Sequence, residues 1–374
     1  MISGFSPLLS RSLPWLVAIL AAGLIGAALA MLLRGGAGVQ TEHTWLGPTP
    51  VTVYRPDAEL RADSAEPWEV DRLGGLPVVL VGHGFAGSQQ LMQAFAGTLA
   101  RNGYLAVTFD YYGHGRNLQP LAGDVTEVEG ATRFLLDQTE AVADYAVALP
   151  GAGQGLALLG HSMATDIMVR HAGSDPRVDA TVAVSMFSPA VTAESPENLL
   201  IVVGNLEGFL KEEALRVLGL VTEDPEAGVT FGSFEDGSAR RVVFAPAVEH
   251  VGVLYSPTAL REAADWLDRA FGRQPDANTG YVDKRGLALP LLFAGLVLLA
   301  WPLSKLLPRV VEPARGLDPG WRELLPAAVV PALATPLLLV AFPADFLGML
   351  VGGYLAVHFA LYGLITAGFC LWLR

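Results

Sequence analysis

The chain has 374 residues, of which 52% are hydrophobic and only 16% charged, with a formal net charge of −13. That length exceeds one ordinary domain, and the apolarity is too high for a purely soluble protein. The acids are concentrated: residues 40–280 carry a net −17 and the rest of the chain +4, so the central part repels a nucleic-acid backbone and nucleic acid is not expected as a partner.

Four stretches lack any charged side chain: Leu13 to Leu33, Gly286 to Ser304, Leu324 to Ala344 and Phe346 to Leu373. Each is long enough for a bilayer core, which takes about 20 apolar residues. The first is open to reading as a cleaved signal peptide, but its long apolar run and its single n-region charge, Arg11, favour an uncleaved anchor. Between the first two stretches the pattern changes. "PVTVYRP" reads as a strand, and "DAELRADSAEPWEVDRLGG", residues 57 to 75, as a polar surface loop. "LPVVLVGHG" is a continuous apolar run ending in glycines, as a buried parallel strand requires. "SQQLMQAFAGTLARNG" has helical spacing, "YLAVTFD" is a strand, "EGATRFLLDQTEAVADYAVALPG" is helical and "GLALLGHS" is a strand. A helix from Met163 follows, then strands "VDATVAVSMF", "NLLIVVG" and "RRVVFAP", and the helix "SPTALREAADWLDRAFG". Strands alternating with helices imply a doubly wound, mostly parallel α/β sheet. Domain boundaries follow: an N-terminal anchor over 1–39, a globular domain over 40–280 and C-terminal membrane helices over 281–374. The third apolar stretch carries Pro326, Pro331 and Pro336, which suit a kinked or partly re-entrant segment. Gly348 and Gly352 have the spacing of a helix-packing pair, and Cys370, the only cysteine, permits no intrachain disulfide.

The carboxyl ends of parallel strands are where such sheets place their sites, and the polar residues gather there. Gly160-His161-Ser162-Met163-Ala164 leaves one strand and opens a helix. This is a G-x-S-x-G turn with alanine in the last place, and it projects the Ser162 hydroxyl above the sheet; a plain helix-capping serine is the competing reading. "VGHGFAGS", residues 81 to 88, leaves another buried strand. Attack on a carbonyl needs two N–H groups aimed at the developing oxyanion: one from Met163, and one from this loop, with Phe85 the best candidate. The loop has neither nucleotide-binding glycine spacing nor G-K-[ST]. A serine needs a base and the base an orienter. His43, His83, His114, His161, His171 and His358 are poorly placed, whereas His250 follows the last strand and precedes the last helix. Glu207, three residues past Gly204, supplies the acid. Asp110, which ends "YLAVTFD", is the rival.

Residues from about 42 to 272 resemble the α/β-hydrolase superfamily, nearest in pattern to its serine esterase and dienelactone-hydrolase-like members. "HGFAGS", "FDYYGHGRN", "GHSMA", "VVGNLE" and "EHVGVLYSP" carry the resemblance in family order. It implies a nucleophile at Ser162, a base at His250, an acid at Glu207 and oxyanion donors at Phe85 and Met163. It also implies a structural role for an aspartate at position 110. Aspartate is the commoner acid after the strand that precedes Glu207. The link from Phe187 to Asn198 is too short for a large cap, while Gly208 to Arg240 holds an apparent helix and a hairpin around "FEDGSA" that would shape the pocket instead.

The expected function is therefore a membrane-anchored serine hydrolase acting on carboxylic esters, without metal or organic cofactor, on a small-molecule or lipid-like substrate at a lipid bilayer. A membrane-surface acyltransferase and a catalytically silent binding domain are the alternatives. Lys305, Arg309, Arg315 and Arg322 cluster between the second and third apolar stretches. With Arg11 and Arg374, they place those ends in the cytoplasm and the globular domain outside it; Arg34, Lys284 and Arg285 argue the other way.

Overall fold

The computed structural model describes residues 7–57, 75–123, 128–273, 280–308, 320–342, 346 and 352–372. The loop read over 57 to 75 therefore lies almost wholly outside the described residues, as do Gly348, Arg309, Arg315 and Arg374. Helix α1 (Pro7–Gly36) is followed by strands β1 (Val39–Leu46), β2 (Thr49–Pro56) and β3 (Leu76–Gly82). Next come helix α2 (Gln93–Arg101), β4 (Leu105–Phe109), α3 (Arg133–Val147), β5 (Ala152–His161) and α4 (Met163–Ala172). The unit is completed by β6 (Val178–Val184), β7 (Leu199–Gly204), α5 (Gly208–Leu218), β8 (Thr230–Phe231), β9 (Arg240–Ala245) and α6 (Pro257–Ala270). Helices α7 (Arg285–Ser304), α8 (Trp321–Leu339) and α9 (Gly352–Trp372) end the chain.

The strands form a nine-stranded sheet in the order β1-β2-β4-β3-β5-β6-β7-β9-β8. The run from β4 to β9 is parallel, with β1, β2 and β8 antiparallel at the two ends. Every residue of β3 is buried, which is why its sequence is uninterrupted apolar and not alternating. Alternation still sorts its side chains by face. Val79 and Val81 pack with α2 and α6, whereas Val78 and Leu80 pack with α3 and α4. Helix α5 joins α4 on the second face through Val217, Leu218 and Val169. With both faces covered, the sheet's loops at its carboxyl edge are the exposed ground for a site.

Three local readings shift. Strand β1 lies in a segment without a long apolar run; its residues are mostly exposed, as suits an edge strand. The helix read from Glu129 becomes regular only at Arg133. Gly130, with φ −90° and ψ −122°, breaks the preceding turn. Helix α8 is helical from Trp321 to Leu339 despite its three prolines. Among the described residues, four helices are long and apolar enough to cross a membrane: Ser12–Gly36, Arg285–Ser304, Trp321–Leu339 and Gly352–Trp372. Helices α1 and α7 pack together, with Gly295 against Ala21 and Ile25. Both also meet the α/β unit along α2. The Arg101 guanidinium donates to the carbonyl of Arg34 and lies 4.0 Å from the Tyr281 ring. Asn102 and Tyr281 exchange two hydrogen bonds, and the Asp283 amide donates to Thr98.

Candidate active site

Strand β5 ends at His161, and the chain reverses into α4 through Ser162, which has φ 53° and ψ −119°. A left-handed φ on a non-glycine residue is strained and persists where surroundings impose it. Here the Ser162 amide donates to the carbonyl of Val184 at the end of β6. The tight turn needs small neighbours, and the alanine at its last position is accommodated by the adjoining strand. A Cβ on Gly82 would lie 3.1 Å from that of Ala164 and 2.6 Å from Met168 Cε. Because Gly82 has none, Ala164 fits. Gly84 is constrained likewise, since a Cβ there would meet His161 Nδ1 at 2.8 Å and Ser162 Cβ at 3.0 Å.

The Ser162 hydroxyl makes no capping bond to α4, against the capping reading of this serine. Its Oγ lies 2.9 Å from His250 Nε2, and His250 Nδ1 lies 2.6 Å from Glu207 Oε1. A carboxylate only accepts, so Nδ1 carries the imidazole proton and Nε2 is left to accept from the serine. The second oxygen of Glu207 receives the Ser185 hydroxyl at 2.8 Å and the Gly204 amide at 2.5 Å. Burial pushes the Glu207 carboxyl up, but the bonds from His250, Ser185 and Gly204 more than offset it, and the group sits below its ordinary value. The hydrogen bond to Glu207 raises His250 above the usual histidine value, against partial burial.

Two residues that sequence reading left aside complete this arrangement. Ser185, just beyond β6, also has a left-handed φ of 53°, which turns its hydroxyl onto Glu207. His161 Nε2 lies 2.9 Å from the backbone carbonyl of His250, and the two rings lie 4.9 Å apart, tilted by 44°. The carbonyl only accepts, so His161 carries its proton on Nε2. Burial pushes its pKa down to about 4. Neither contact has a local sequence signal, because each joins loops far apart in the chain.

The other candidates lie elsewhere. Asp110 is buried, and its carboxylate accepts from the Gln89 amide, the Gln89 side chain and the Arg116 amide. It pins the turn after β4 to the start of the α2 segment and has no bond to His250 in this arrangement. His83 accepts the Tyr111 amide on Nε2 and donates from Nδ1 to the Gly84 carbonyl, and burial lowers its pKa to about 4. His114 bonds the Tyr112 carbonyl and His43 bonds Thr52. Tyr111 is a core residue.

Ser162 and His250 open into a cleft of about 500 Å3, a size within the range of small-molecule sites. Phe85 and Met163 are in its wall. Met163 is the first residue of α4, so its amide has no preceding helical turn to bond. Apolar walls come from Leu121, Leu135, Ile167 and Leu210, and the half-exposed rings of Phe85 and Phe187 flank the mouth. Among the described residues no group of three His, Cys, Asp or Glu side chains has the spacing of a metal site.

The mostly parallel sheet, its strand order and the strained serine turn give the α/β unit an α/β-hydrolase fold. Residues 76–223 match the family described as serine aminopeptidase, S33, and the protein is a hydrolase by fold and family likeness. No curated protein matches the sequence at a significant level. Among solved structures, the chain is similar to a dienelactone hydrolase from Anabaena variabilis at 16% identity and TM-score 0.41, covering 63% of this chain and 98% of that one. It is similar to a ferulic acid esterase from Streptomyces cinnamoneus at 16% identity and TM-score 0.41, covering 76% and 94%. A membrane phospholipase A described as a bacterial virulence factor shares 15% identity at TM-score 0.44, over 71% of this chain and 96% of that chain.

Proposed function

We propose that the protein is a membrane-anchored serine hydrolase that cleaves carboxylic esters through an acyl-serine. The observation that carries this reading is the unbroken hydrogen-bonded series from Ser162 through His250 to Glu207, built on a strained turn in an apolar cleft. His250 Nε2 takes the Ser162 proton as Oγ attacks the carbonyl carbon, and the imidazolium formed is stabilised by Glu207. The amides of Phe85 and Met163 hold the oxyanion. His250 then returns the proton to the leaving alcohol. Water, deprotonated by the same base, releases the acid and restores Ser162. A fluorophosphonate probe on the detergent-solubilised protein, with p-nitrophenyl esters of graded length, tests this. Labelling that survives Ser162→Ala, or esters left intact by a folded protein, removes the assignment.

The anchoring rests on the four apolar helices. Short cationic loops stay cytoplasmic, so the cluster around Lys305 and Arg322 sets the α/β unit on the outer face. Arg285, which opposes that orientation, is engaged by Gln93 and Asp283, which supplies a structural reason for its charge there. Protease added to intact spheroplasts clips the α/β unit in this topology; complete protection reverses it.

A further inference from the structure

The helix pair α1 and α7 and the apolar walls of the cleft pack on opposite faces of the sheet. The helix pair meets the α/β unit along α2: Thr98 takes the Asp283 amide, and Gln93 takes the Arg285 side chain. Gly286 packs onto the Tyr255 carbonyl, in the turn Gly252–Tyr255 that follows His250. Val39, Tyr255 and Val282 all pack on the core that Val79 and Val81 share with α2 and α6. The cleft is walled by Leu121, Leu135, Met163 and Ile167, which pack on or within the core of Val78 and Leu80, α3 and α4. The sheet therefore lies between these apolar walls and the α1–α7 contacts on α2 that form the mount, while Ser162, Ser185 and His250 line the cleft at the strands' carboxyl edge.

The cleft also has a polar end. Met163, Ile167 and Arg170 succeed one another along one face of α4, and all three line it. From Ser162 to Arg170 the helix rises about 12 Å, at 1.5 Å per residue. There Arg170 Nε donates to Asp166 at 2.8 Å, and the Ser188 hydroxyl donates to the other Asp166 oxygen at 2.6 Å. Beyond Arg170 the same helices form a groove lined by Asp137, Glu140, His171, Asp175 and Arg177. A hydrocarbon chain running past Arg170 would strand this charge without water.

We propose that the cleft takes a water-borne ester whose apolar group is short to medium in length, and that it does not draw substrate from the bilayer holding α1 and α7. This rests on the serine-hydrolase reading and narrows its substrate. The contacts of α1 and α7 fall on the α2 face and the apolar walls of the cleft on the other, and the Asp166–Arg170 pair limits the chain.

The test uses the full-length protein reconstituted in phosphatidylcholine vesicles that carry a fluorogenic acyl chain. Dissolved p-nitrophenyl esters from acetate to palmitate are assayed in parallel, with fluorophosphonate labelling of Ser162 as a control. The expected result is turnover of dissolved short and medium esters, with acyl release from the vesicles at least about 10²-fold slower. Arg170→Leu moves the preferred length upward. Fatty-acid release from the host vesicles at the rate of the dissolved esters overturns the proposal, as does an unchanged length optimum in a folded, labelled Arg170→Leu. Absent labelling with no turnover of either substrate overturns the underlying serine-hydrolase reading, and this proposal with it.

Discussion

Asp110 and Glu207 each follow a parallel strand of the same sheet, and each is buried with three hydrogen-bond donors around its carboxylate. Asp110 receives the amide and side chain of Gln89, at the start of the α2 segment, and the amide of Arg116 in its own turn after β4. Glu207 receives one amide from the end of β7, one serine hydroxyl from beyond β6 and one imidazole from beyond β9. The environments are alike in count and burial, so the carboxylate's own surroundings do not separate a structural acid from a catalytic one. What separates them is whether one donor can gain a second proton and lose it again. An imidazole can, whereas an amide N–H is fixed.

The largest effect belongs to the group at the end of the Glu207 series. Ser162→Ala is expected to abolish probe labelling and lower ester turnover by about 10⁴ or more, leaving what the oxyanion donors and binding supply. Glu207→Gln comes next. An amide of the same shape keeps neither the charge nor the tautomer of His250, and turnover is expected to fall by about 10² or more. Glu207→Asp, with a shorter reach to Nδ1, loses activity to a lesser degree. Steady-state kinetics at matched thermal stability ranks the three. The Glu207→Gln change also moves the pH profile. In the native protein the rate rises with pH as His250 loses its proton, with an inflection above the usual histidine value because Glu207 raises it. Without the carboxylate, partial burial still disfavours the charged ring, so the inflection moves to lower pH.

Asp110→Asn sharpens the comparison from the other side. An amide nitrogen at either oxygen position would face an N–H of Gln89 or Arg116, leaving a buried donor unpaired at a cost of about 1–3 kcal/mol. Denaturant titration should show that loss, while turnover of the folded fraction stays close to native. Collapse of turnover in a well-folded Asp110→Asn, with near-normal Glu207→Gln, would exchange the two roles.

The legible part of this molecule is the part whose physics is local. Ser162 stands out because a buried strand, small residues at Gly160 and Ala164, and a helix meet within a few residues. Glu207 and His250 stand out because each follows a recognisable strand at the sheet's carboxyl edge. Strand β1 was not legible, since an exposed edge strand needs no apolar run and Val39 to Leu46 follows directly on an apolar helix. Ser185 and His161 were not legible for a different reason. Their partners, Glu207 and the His250 carbonyl, are distant in sequence, and the left-handed φ that aims Ser185 has no glycine to announce it. The mount is long-range as well, joining Thr98 and Asn102 to Asp283 and Tyr281.

His161 and His250 extend the comparison to a second pair, with rings 4.9 Å apart and opposite displacements of their pKa. His250 is raised in the folded protein, so its contribution to stability is present below the ordinary value of about 6.5 and is lost as pH rises through the folded value. His161 is lowered to about 4 by burial. The unfolded chain therefore binds its proton first, and its contribution is full above about 6.5 and lost as pH falls towards 4. The gap corresponds to roughly 3 kcal/mol at 1.36 kcal/mol per decade. Protonation would also place a buried positive charge against the His250 ring. His161→Asn keeps an N–H for the His250 carbonyl but has nothing to titrate. The expected outcome is a melting temperature that falls less steeply between pH 6.5 and 4 in His161→Asn than in the native protein. His83 still titrates in both, so some acid sensitivity remains in the variant. Parallel melting curves for the two proteins across that range would remove His161 as a source of acid lability.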